Sequence, residues 1–201
     1  MVTVIDYDAG NIKSVEKAFQ YLGQEVRITR DRDELLEASH VILPGVGSFG
    51  DAMRHLKEYR LIQTIYDVVE KKTPFLGICL GQQLLFERSD ESEGVSGLGI
   101  LPGEILTIPS APGLKIPHMG WNSLEITPGA RLFKGIEGNP YVYFVHSYYL
   151  KAGRPSDVAA KTWYSVDIDA SVESGNVFAC QFHPEKSSRT GLQILKNFTE
   201  I

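Results

Sequence analysis

The sequence predicts an α/β fold of three layers, in which helices cover both faces of a central, mostly parallel mixed sheet that is extended by antiparallel strands. In the first half of the chain, short β-branched runs alternate with amphipathic stretches through short connections, which is the pattern of parallel βαβ units. In the second half, strand-like runs follow one another between Gly, Pro and Ser residues. That second pattern indicates added antiparallel strands.

The elements of the first half come in pairs of one strand and one helix. The stretch 11–22 shows why the second member is helical, because its apolar residues recur at spacings of three and four and Gly23 then ends it. The other pairs follow the same pattern. The predicted strands are 2–5, 25–29, 41–43 and 75–78, and the predicted helical stretches are 11–22, 31–38, 49–69 and 80–88.

The second half closes with one further helix. Residues 189–200 place their apolar side chains on one side, with Ser187 or Ser188 as the N-cap. No repeat and no low-complexity linker separates the two halves, so we expect a single domain over residues 1–201. The predicted strands of this half are 104–108, 141–145, 157–160, 166–172 and 177–182.

Charge and composition exclude several classes of function. The 20 basic and 25 acidic residues are interspersed and give a net charge of -5, which argues against nucleic acid and anionic membranes as partners. The apolar stretches are far shorter than the roughly 18 residues that span a bilayer. The N-terminus begins directly with a strand and shows no targeting segment, which predicts a cytoplasmic location. No Cys, His or Asp group has zinc-ligand spacing, so we expect no metal and no cofactor.

A glycine-rich segment at 45–50 fits the pattern G-x-G-x-x-G of dinucleotide-binding proteins. That fingerprint belongs in the first βαβ unit and requires an acidic residue about 20 positions later, at the end of the next strand. Here the segment follows the third predicted strand, and the region that should carry the acid is helical. We therefore expect these glycines to let backbone N–H groups approach some other ligand closely.

The segment 77–81, Gly-Ile-Cys-Leu-Gly, lies where an apolar strand runs directly into a helix. This context is typical of a nucleophile elbow, with Cys79 as the nucleophile and with flanking glycines that the tight turn requires. A thiol at a helix N-terminus faces the positive end of the helix dipole, which favours the thiolate, and the N–H of Leu80 is a candidate oxyanion donor. A packing cysteine is the alternative, and strand alternation assigns that role to Cys180.

A thiolate nucleophile requires a base, and His183 is the strongest candidate among the five histidines. It ends a strand and precedes Pro184 and Glu185. Because proline holds the preceding residue extended, the side chains of residues 183 and 185 are expected on the same side. Glu185 would then accept the Nδ1–H and leave Nε2 to face the thiol. Taken alone, His183 would be better explained as a structural histidine at a strand end, but its pairing with Glu185 and with an elbow cysteine favours the base.

At these residues the sequence resembles the class I glutamine amidotransferases. The resemblance extends over essentially the whole chain, and its motifs occur in the same order as in that family. The matching segments are 6–11 (DYDAGN), 44–47 (PGVG), 77–84 (GICLGQQL), 117–122 (PHMGWN), 144–148 (FVHSY) and 181–187 (QFHPEKS).

The resemblance implies hydrolysis of L-glutamine to L-glutamate and ammonia by a triad of Cys79, His183 and Glu185. Segment 117–122 is similar to the glutaminase subunits of imidazole glycerol phosphate synthase. In those, ammonia passes to a (β/α)8-barrel cyclase subunit in histidine biosynthesis, which implies a heterodimer. By the same correspondence, Leu80 and the Val46–Gly47 loop supply oxyanion N–H groups, Gln83, Glu87, His146, Ser147 and Tyr148 form the glutamine pocket, and Asn11, His118, Met119, Trp121, Asn122 and Lys186 lie at or near the partner surface.

Two other classes of function stay open on the residues alone. A different hydrolase with an elbow cysteine, such as a thiol-dependent esterase, would need Cys79 and a histidine but neither Gln83 nor the 117–122 segment. A noncatalytic binding module of the same fold is the other alternative. The loss of a triad residue would mark such a module, and all three residues are present.

Overall fold

An eight-stranded sheet forms the centre of the computed structural model, which describes all residues from 1 to 201. The first five strands in spatial order are parallel, and the last three continue the sheet in antiparallel pairing. The predicted fold class is therefore confirmed. In spatial order the strands are β2 (Val26–Thr29), β1 (Val2–Ile5), β3 (His40–Leu43), β4 (Phe75–Ile78), β13 (Val177–Cys180), β12 (Val166–Ser174), β11 (Val158–Tyr164) and β8 (Glu125–Ile126).

Helices cover both faces of this sheet, and alternation along β3 shows how the two cores form. Val41 and Leu43 lie in one hydrophobic core, whereas Ile42 lies in the other. Both faces of a buried parallel strand need apolar side chains, which explains the continuous apolar run in the sequence. None of the helices has the length and apolar character that crossing a bilayer requires. The helices are α1 (Ile12–Tyr21), α2 (Arg32–Leu36), α3 (Phe49–Glu58), α4 (Leu61–Glu70), α5 (Leu80–Leu84) and α6 (Ser188–Thr199).

Two predicted helices are shorter in the structure than in the sequence interpretation. The stretch 49–69 divides into α3 and α4 at Arg60, whose φ is 57°. Leu56 and Leu61 both point into the core, and a spacing of five residues does not fit one face of a single helix. The helix that begins at Leu80 ends at Leu84 and not at residue 88, and Arg88–Ser89 form a short strand instead.

Two small sheets complete the fold. The sequence interpretation missed four strands, which are β5 (Arg88–Ser89), β7 (His118–Ser123), β8 (Glu125–Ile126) and β10 (Tyr148–Ala152). In β7 the alternation that marks a strand is interrupted by Gly120, which has a φ of 126°. The three-stranded sheet consists of β10 (Tyr148–Ala152), β6 (Gly103–Thr107) and β5 (Arg88–Ser89), and the two-stranded ribbon consists of β7 (His118–Ser123) and β9 (Tyr141–His146).

Candidate active site

The predicted nucleophile and base follow neighbouring strands of the central sheet. Cys79 comes directly after β4 and His183 shortly after β13, and β4 and β13 pair in parallel. The loop after β3, the next strand along, runs past the same edge. The carboxyl ends of parallel strands meet at one edge of a sheet, which is where ligands bind in open α/β folds. A cavity of about 410 Å³ at this edge is lined by both Cys79 and His183.

Cys79 lies in the tight turn that the sequence predicts. Its φ of 55° and ψ of −111° are a strained conformation for a residue with a side chain. A Cβ on Gly77 would lie 2.6 Å from the Gly81 carbonyl oxygen, and a Cβ on Gly81 would lie 1.9 Å from the Leu43 carbonyl oxygen. Both flanking glycines are thus required by packing. The helix that follows has only five residues, so its dipole at the thiol is small.

The second cysteine, Cys180, is fully buried in the apolar core, as strand alternation predicts. Burial raises the pKa of its thiol well above the ordinary value, and the nearby Glu185 and Cys79 act in the same direction. A thiol that stays protonated is a poor nucleophile. Cys79 is therefore the only one of the two that combines contact with the cavity and access to a base.

His183 and Glu185 make the predicted contact, although by a different backbone path. Nδ1 of His183 lies 2.8 Å from Oε1 of Glu185, and both side chains are fully buried. Residues 184–186 form a turn of 3₁₀-helix in place of the expected extended segment. Asn11 also donates from Nδ2 to Glu185 Oε1, over 2.5 Å. Nε2 of His183 has no hydrogen-bond partner within the chain and is left available for the thiol.

The charges of this group favour a protonated histidine. Burial alone would lower the pKa of His183, but its neighbours Cys79 and Glu185 outweigh burial and raise the pKa to about 9. Burial likewise disfavours the Glu185 carboxylate, yet the hydrogen bonds from His183 and Asn11 hold its pKa below the usual value. At neutral pH the base is therefore an imidazolium that faces Cys79 on one side and a carboxylate on the other.

The glycine-rich loop after β3 packs against the nucleophile turn. The Leu80 N–H donates to the Gly45 carbonyl over 3.3 Å, so this expected oxyanion donor is engaged. Tyr7 donates its hydroxyl to the Pro44 carbonyl over 2.6 Å and holds the start of the loop. A Cβ on Gly45 would lie 2.8 Å from the Leu80 Cβ. The expectation that this glycine admits a ligand was therefore wrong, because the close approach is made by the protein itself.

Four of the five predicted pocket residues line the cavity, together with the oxyanion-loop residues Val46 and Gly47. Glu87 does not. Its carboxylate accepts the Gly103 N–H over 3.1 Å, and its side chain lines a different cavity, because α5 ends at Leu84 and the chain turns away. Glu91 takes its place at the cavity wall, where it accepts the N–H of Phe49 over 2.7 Å. The four predicted residues at the cavity are Gln83, His146, Ser147 and Tyr148.

The residues expected at the partner surface divide into exposed and buried ones. Met119 and Trp121 expose 63% and 52% of their surface. Lys186 is also exposed and Asn122 is half-buried. Asn11 and His118, by contrast, are only 7% and 3% exposed. Asn11 turns inward to Glu185 and His118 turns inward to His146, so neither is exposed on the isolated subunit, and their place at or near the partner surface stays a prediction.

Three polar residues at this site were missed in the sequence. Asn11 supports the triad, Glu91 lines the cavity, and the fully buried Gln181 lies 3.7 Å from the Cys79 sulfur. Only Gln181 carried a usable signal, since period-two alternation places it on the same strand face as His183. Glu91 lies in the turn that follows β5, and no local pattern in the sequence reveals that this turn reaches the cavity.

A larger cavity, of about 760 Å³, lies elsewhere, between the turns at residues 126–138 and the end of α6. Its lining contains neither cysteine nor histidine. Size alone therefore does not identify the reactive site. The smaller cavity is the one that contains a strained cysteine, a protonated histidine and convergent polar groups.

Comparison with known proteins agrees with this geometry. Residues 3–201 match the family model described as glutamine amidotransferase class-I. The chain is 48% identical over 200 residues to the imidazole glycerol phosphate synthase subunit HisH of Moorella thermoacetica, covering 100% of this chain and 94% of that protein. It is 46% identical to the same-named subunit of Methanocaldococcus jannaschii, with both chains covered completely.

Solved structures of lower identity share the fold. A structure described as a glutamine amidotransferase superposes with a TM-score of 0.78 at 21% identity and covers 100% of this chain and 98% of its own. PurLQS from Thermotoga maritima gives a TM-score of 0.78 at 22% identity, with 99% and 97% covered. With a family match over nearly all residues and full-length relatives at close to half identity, the chain belongs to the class I glutamine amidotransferases and, among them, to the HisH subunits of imidazole glycerol phosphate synthase.

Proposed function

We propose that this glutaminase subunit hydrolyses L-glutamine through a thioester on Cys79, with His183 as general acid and base and Glu185 as the group that orients His183. We further propose that residues 1–201 act as one catalytic domain. The observation that carries the proposal is the arrangement at the cavity, where the strained cysteine faces a histidine that is held by a buried carboxylate 2.8 Å away. Cys79 supplies the nucleophile, His183 the base, and Glu185 the group that orients the base.

In the first half of the reaction the Cys79 thiolate attacks the side-chain amide carbon of glutamine. A carbon–sulfur bond forms and the carbonyl oxygen becomes an oxyanion. His183, protonated at neutral pH, gives its Nε2 proton to the amide nitrogen as the carbon–nitrogen bond breaks. Ammonia leaves, and the acyl group stays on sulfur as a thioester.

In the second half the now neutral His183 takes a proton from water, and the resulting hydroxide attacks the thioester carbon. A second oxyanion forms and collapses as the carbon–sulfur bond breaks. L-Glutamate leaves, and the thiolate and imidazolium are restored. Glu185 stabilises the imidazolium in both halves through its hydrogen bond to Nδ1.

The oxyanion requires backbone donors, and the Leu80 N–H is the one that the turn offers. In the structure it donates to the Gly45 carbonyl over 3.3 Å. We propose that the loop at Gly45, Val46 and Gly47 shifts during turnover, so that the Leu80 N–H and an N–H of the loop turn to the oxyanion. A donor of this kind is worth roughly 10²–10³ in kcat.

The amino-acid end of glutamine carries an ammonium and a carboxylate. Glu91 supports ammonium binding, because it is the one carboxylate besides Glu185 near this cavity and its side chain lines the wall. Gln83, Ser147 and Tyr148 line the remainder with polar groups that suit the carboxylate and the amide. We therefore propose Glu91, in place of Glu87, as the ammonium-binding residue.

We propose a (β/α)8-barrel cyclase subunit as the partner that receives the ammonia. The ribbon of β7 and β9 supports this, because it exposes the side chains of Met119, Trp121 and Tyr141, while Val145 and His146 at its end line the cavity. An exposed aromatic group of this kind is typical of a docking surface.

The nucleophile is tested by labelling with an electrophilic glutamine analogue, such as a chloroketone, followed by mass spectrometry. We expect one adduct, on Cys79, and none on the buried Cys180. Cys79→Ala should abolish ammonia release, and Cys180→Ala should retain it. Ammonia release at the parent rate from Cys79→Ala would contradict the mechanism, and turnover of esters but not of glutamine would favour a thiol-dependent esterase instead.

The docking surface is tested by substitution of its largest exposed side chain, that of Trp121. Trp121→Glu should weaken binding to the cyclase subunit by roughly tenfold or more, since central aromatic residues dominate interface energies. Tyr21→Glu is a matched control, because Tyr21 is an exposed aromatic residue at the opposite end of α1 from Asn11. Titration calorimetry measures both, and equal affinities for the two variants would remove the β7–β9 ribbon from the interface.

A further inference from the structure

We propose that Gln181 is a further catalytic residue, whose side-chain amide donates a hydrogen bond to the Cys79 thiolate and is aimed by a buried chain of hydrogen bonds that begins on β7. The proposal rests on Cys79 as the nucleophile. Gln181 is fully buried, and its Nε2 lies 3.7 Å from the Cys79 sulfur. A hydrogen bond from an amide to a charged acceptor stabilises that acceptor more than a neutral one.

The orientation of the Gln181 amide follows from its neighbour. Gln83 lies between two acceptors, with Nε2 at 3.3 Å from the Tyr148 carbonyl oxygen and at 2.9 Å from Gln181 Oε1. A carbonyl oxygen only accepts, so the Gln83 atom facing it is the NH₂ group. The same NH₂ group also donates to the side-chain oxygen of Gln181, Oε1. Because the oxygen of the Gln181 amide faces Gln83, its NH₂ group faces the Cys79 sulfur.

The chain of hydrogen bonds continues from the Tyr148 carbonyl to β7. His146 Nδ1 lies 2.8 Å from that carbonyl oxygen and therefore carries a proton. In a neutral His146 the other nitrogen, Nε2, is an acceptor, and His118 Nδ1 lies 2.8 Å from it. His118 Nε2 in turn accepts from Asn122 Nδ2 over 3.3 Å, while Asn122 Nδ2 also donates to the Trp163 carbonyl.

Both histidines must be neutral for every bond in this chain to have a donor and an acceptor. Burial disfavours the charged form of each, and it lowers the pKa of His118 to about 4 and of His146 to about 3. The His118 ring is also held between Phe144 and Tyr164, with ring centroids 4.7 and 4.0 Å away. A second proton on either ring would place two N–H donors opposite each other, at His118 Nε2 or at His146 Nε2. The hydrogen bond at that point would then be lost.

This connection explains two buried polar groups that the triad does not use. The His118–His146 pair and the Gln83–Gln181 pair link a strand that carries the exposed Met119 and Trp121 to the reactive sulfur. A buried polar network is stable only when each member is satisfied, and here each link has one defined direction. The chain therefore fixes the amide donor to the thiolate before substrate binds.

The test is the rate at which iodoacetamide alkylates Cys79, followed by mass spectrometry over a range of pH. Gln181→Met keeps the size of the side chain and removes the donor. We expect alkylation at neutral pH to slow by roughly tenfold or more, given the strength of a hydrogen bond to a charged group. The pH at half-maximal rate should rise, and kcat for glutamine should fall with little change in KM. The titratable groups around the sulfur, His183, Glu185, Tyr7 and Cys180, are unchanged in this variant.

Gln82→Met is the matched control. Gln82 is also a fully buried glutamine close to Cys79 in the chain, but its amide faces the Asp169 carbonyl and lies outside the hydrogen-bonded chain. This variant should alkylate and turn over like the parent. If Gln181→Met does not fold, Gln181→Glu retains the shape of the side chain and should raise the pH at half-maximal rate further, because a carboxylate then faces the thiolate.

The far end of the chain has its own pair of variants. His118→Phe keeps the stacked ring and removes both nitrogens, so it should slow alkylation by a smaller factor than Gln181→Met. His40→Phe, at a half-buried histidine outside the chain, should have no effect. A His118→Phe protein that alkylates like the parent would overturn the role of the chain.

Parent-like alkylation and turnover in folded Gln181→Met or Gln181→Glu would overturn the role of Gln181. That result would leave the proposed function intact, provided that the parent protein still hydrolyses glutamine. Failure of the proposed function has a different signature, which is the absence of a glutamine-analogue adduct on Cys79 in the parent itself.

Discussion

In the proposed mechanism His183 sets an upper pH limit for catalysis, because it must carry a proton to release ammonia. Its pKa is raised to about 9 by Cys79 and Glu185 against the opposing effect of burial. We expect the rate of glutamine hydrolysis in the complex to fall as the pH rises through about 9. A pH–rate profile that stays flat to pH values well above 9 would show that another group donates the proton.

At the same scale, the sequence predicted those residues whose catalytic role can be inferred from the residues next to them in the chain. Cys79 has glycines on both sides of a strand–helix junction, and His183 has Glu185 two positions later. Asn11 and Glu91 could not be found in this way. Their roles depend on contacts with residues 174 and 42 positions away, and nothing local in the sequence encodes such contacts.

At the scale of elements, the junction of β4 and α5 tolerates no added atom. Gly81→Ala would bring a Cβ to 1.9 Å from the Leu43 carbonyl oxygen, so α5 must shift and displace Cys79 with it. We expect a loss of about 1–3 kcal/mol of stability together with a fall in activity of at least tenfold, since small displacements of reacting groups are costly. Urea denaturation and glutaminase assays measure the two effects.

Gly23→Ala is the control for that substitution. A Cβ there meets no other atom, but the φ of 75° costs a residue with a side chain about 1–2 kcal/mol. This variant should lose similar stability and keep full activity. If both variants lost activity in proportion to stability, the effect of Gly81→Ala would be one of folding and not of positioning.

The parallel half of the sheet was predictable element by element, because each buried strand is a short apolar run followed by a helix with one apolar face. Strand β7 was not. Gly120, the buried His118 and the half-buried Asn122 interrupt the pattern of β7. His118 and Asn122 are held by hydrogen bonds to His146 and to the Trp163 carbonyl. Such polar contacts produce no alternation of apolar and polar residues, which is the pattern that predicts a strand.

At the scale of the whole molecule, the buried histidines make folding sensitive to acid. Burial lowers the pKa of His118 to about 4 and of His146 to about 3, and the pKa of His40 also lies below 6.5. The unfolded chain binds protons near pH 6.5, whereas the folded chain does not. Below about pH 6.5, unfolding therefore takes up protons at these histidines, and the free energy of unfolding should decrease as the pH falls from about 6.5 towards 4.

His146 alone contributes a slope of up to about 1.4 kcal/mol per pH unit in that window. Urea denaturation at several pH values between 4.5 and 6.5 measures the slope. The double variant His118→Gln, His146→Gln should show a shallower dependence than the parent protein. An identical slope in the two proteins would mean that neither histidine is neutral in the folded state.

The position of β13 has a consequence for synthesis of the protein. This strand lies between β4 and β12 in the sheet, yet it is the last strand to be made. Until it inserts, β4 has an open edge, and Cys79 has neither His183 nor Gln181 beside it. A growing chain on the ribosome therefore carries an unassisted thiol through most of its synthesis. In the proposed mechanism, an incomplete chain in which β13 has not inserted therefore lacks the base that glutamine hydrolysis requires.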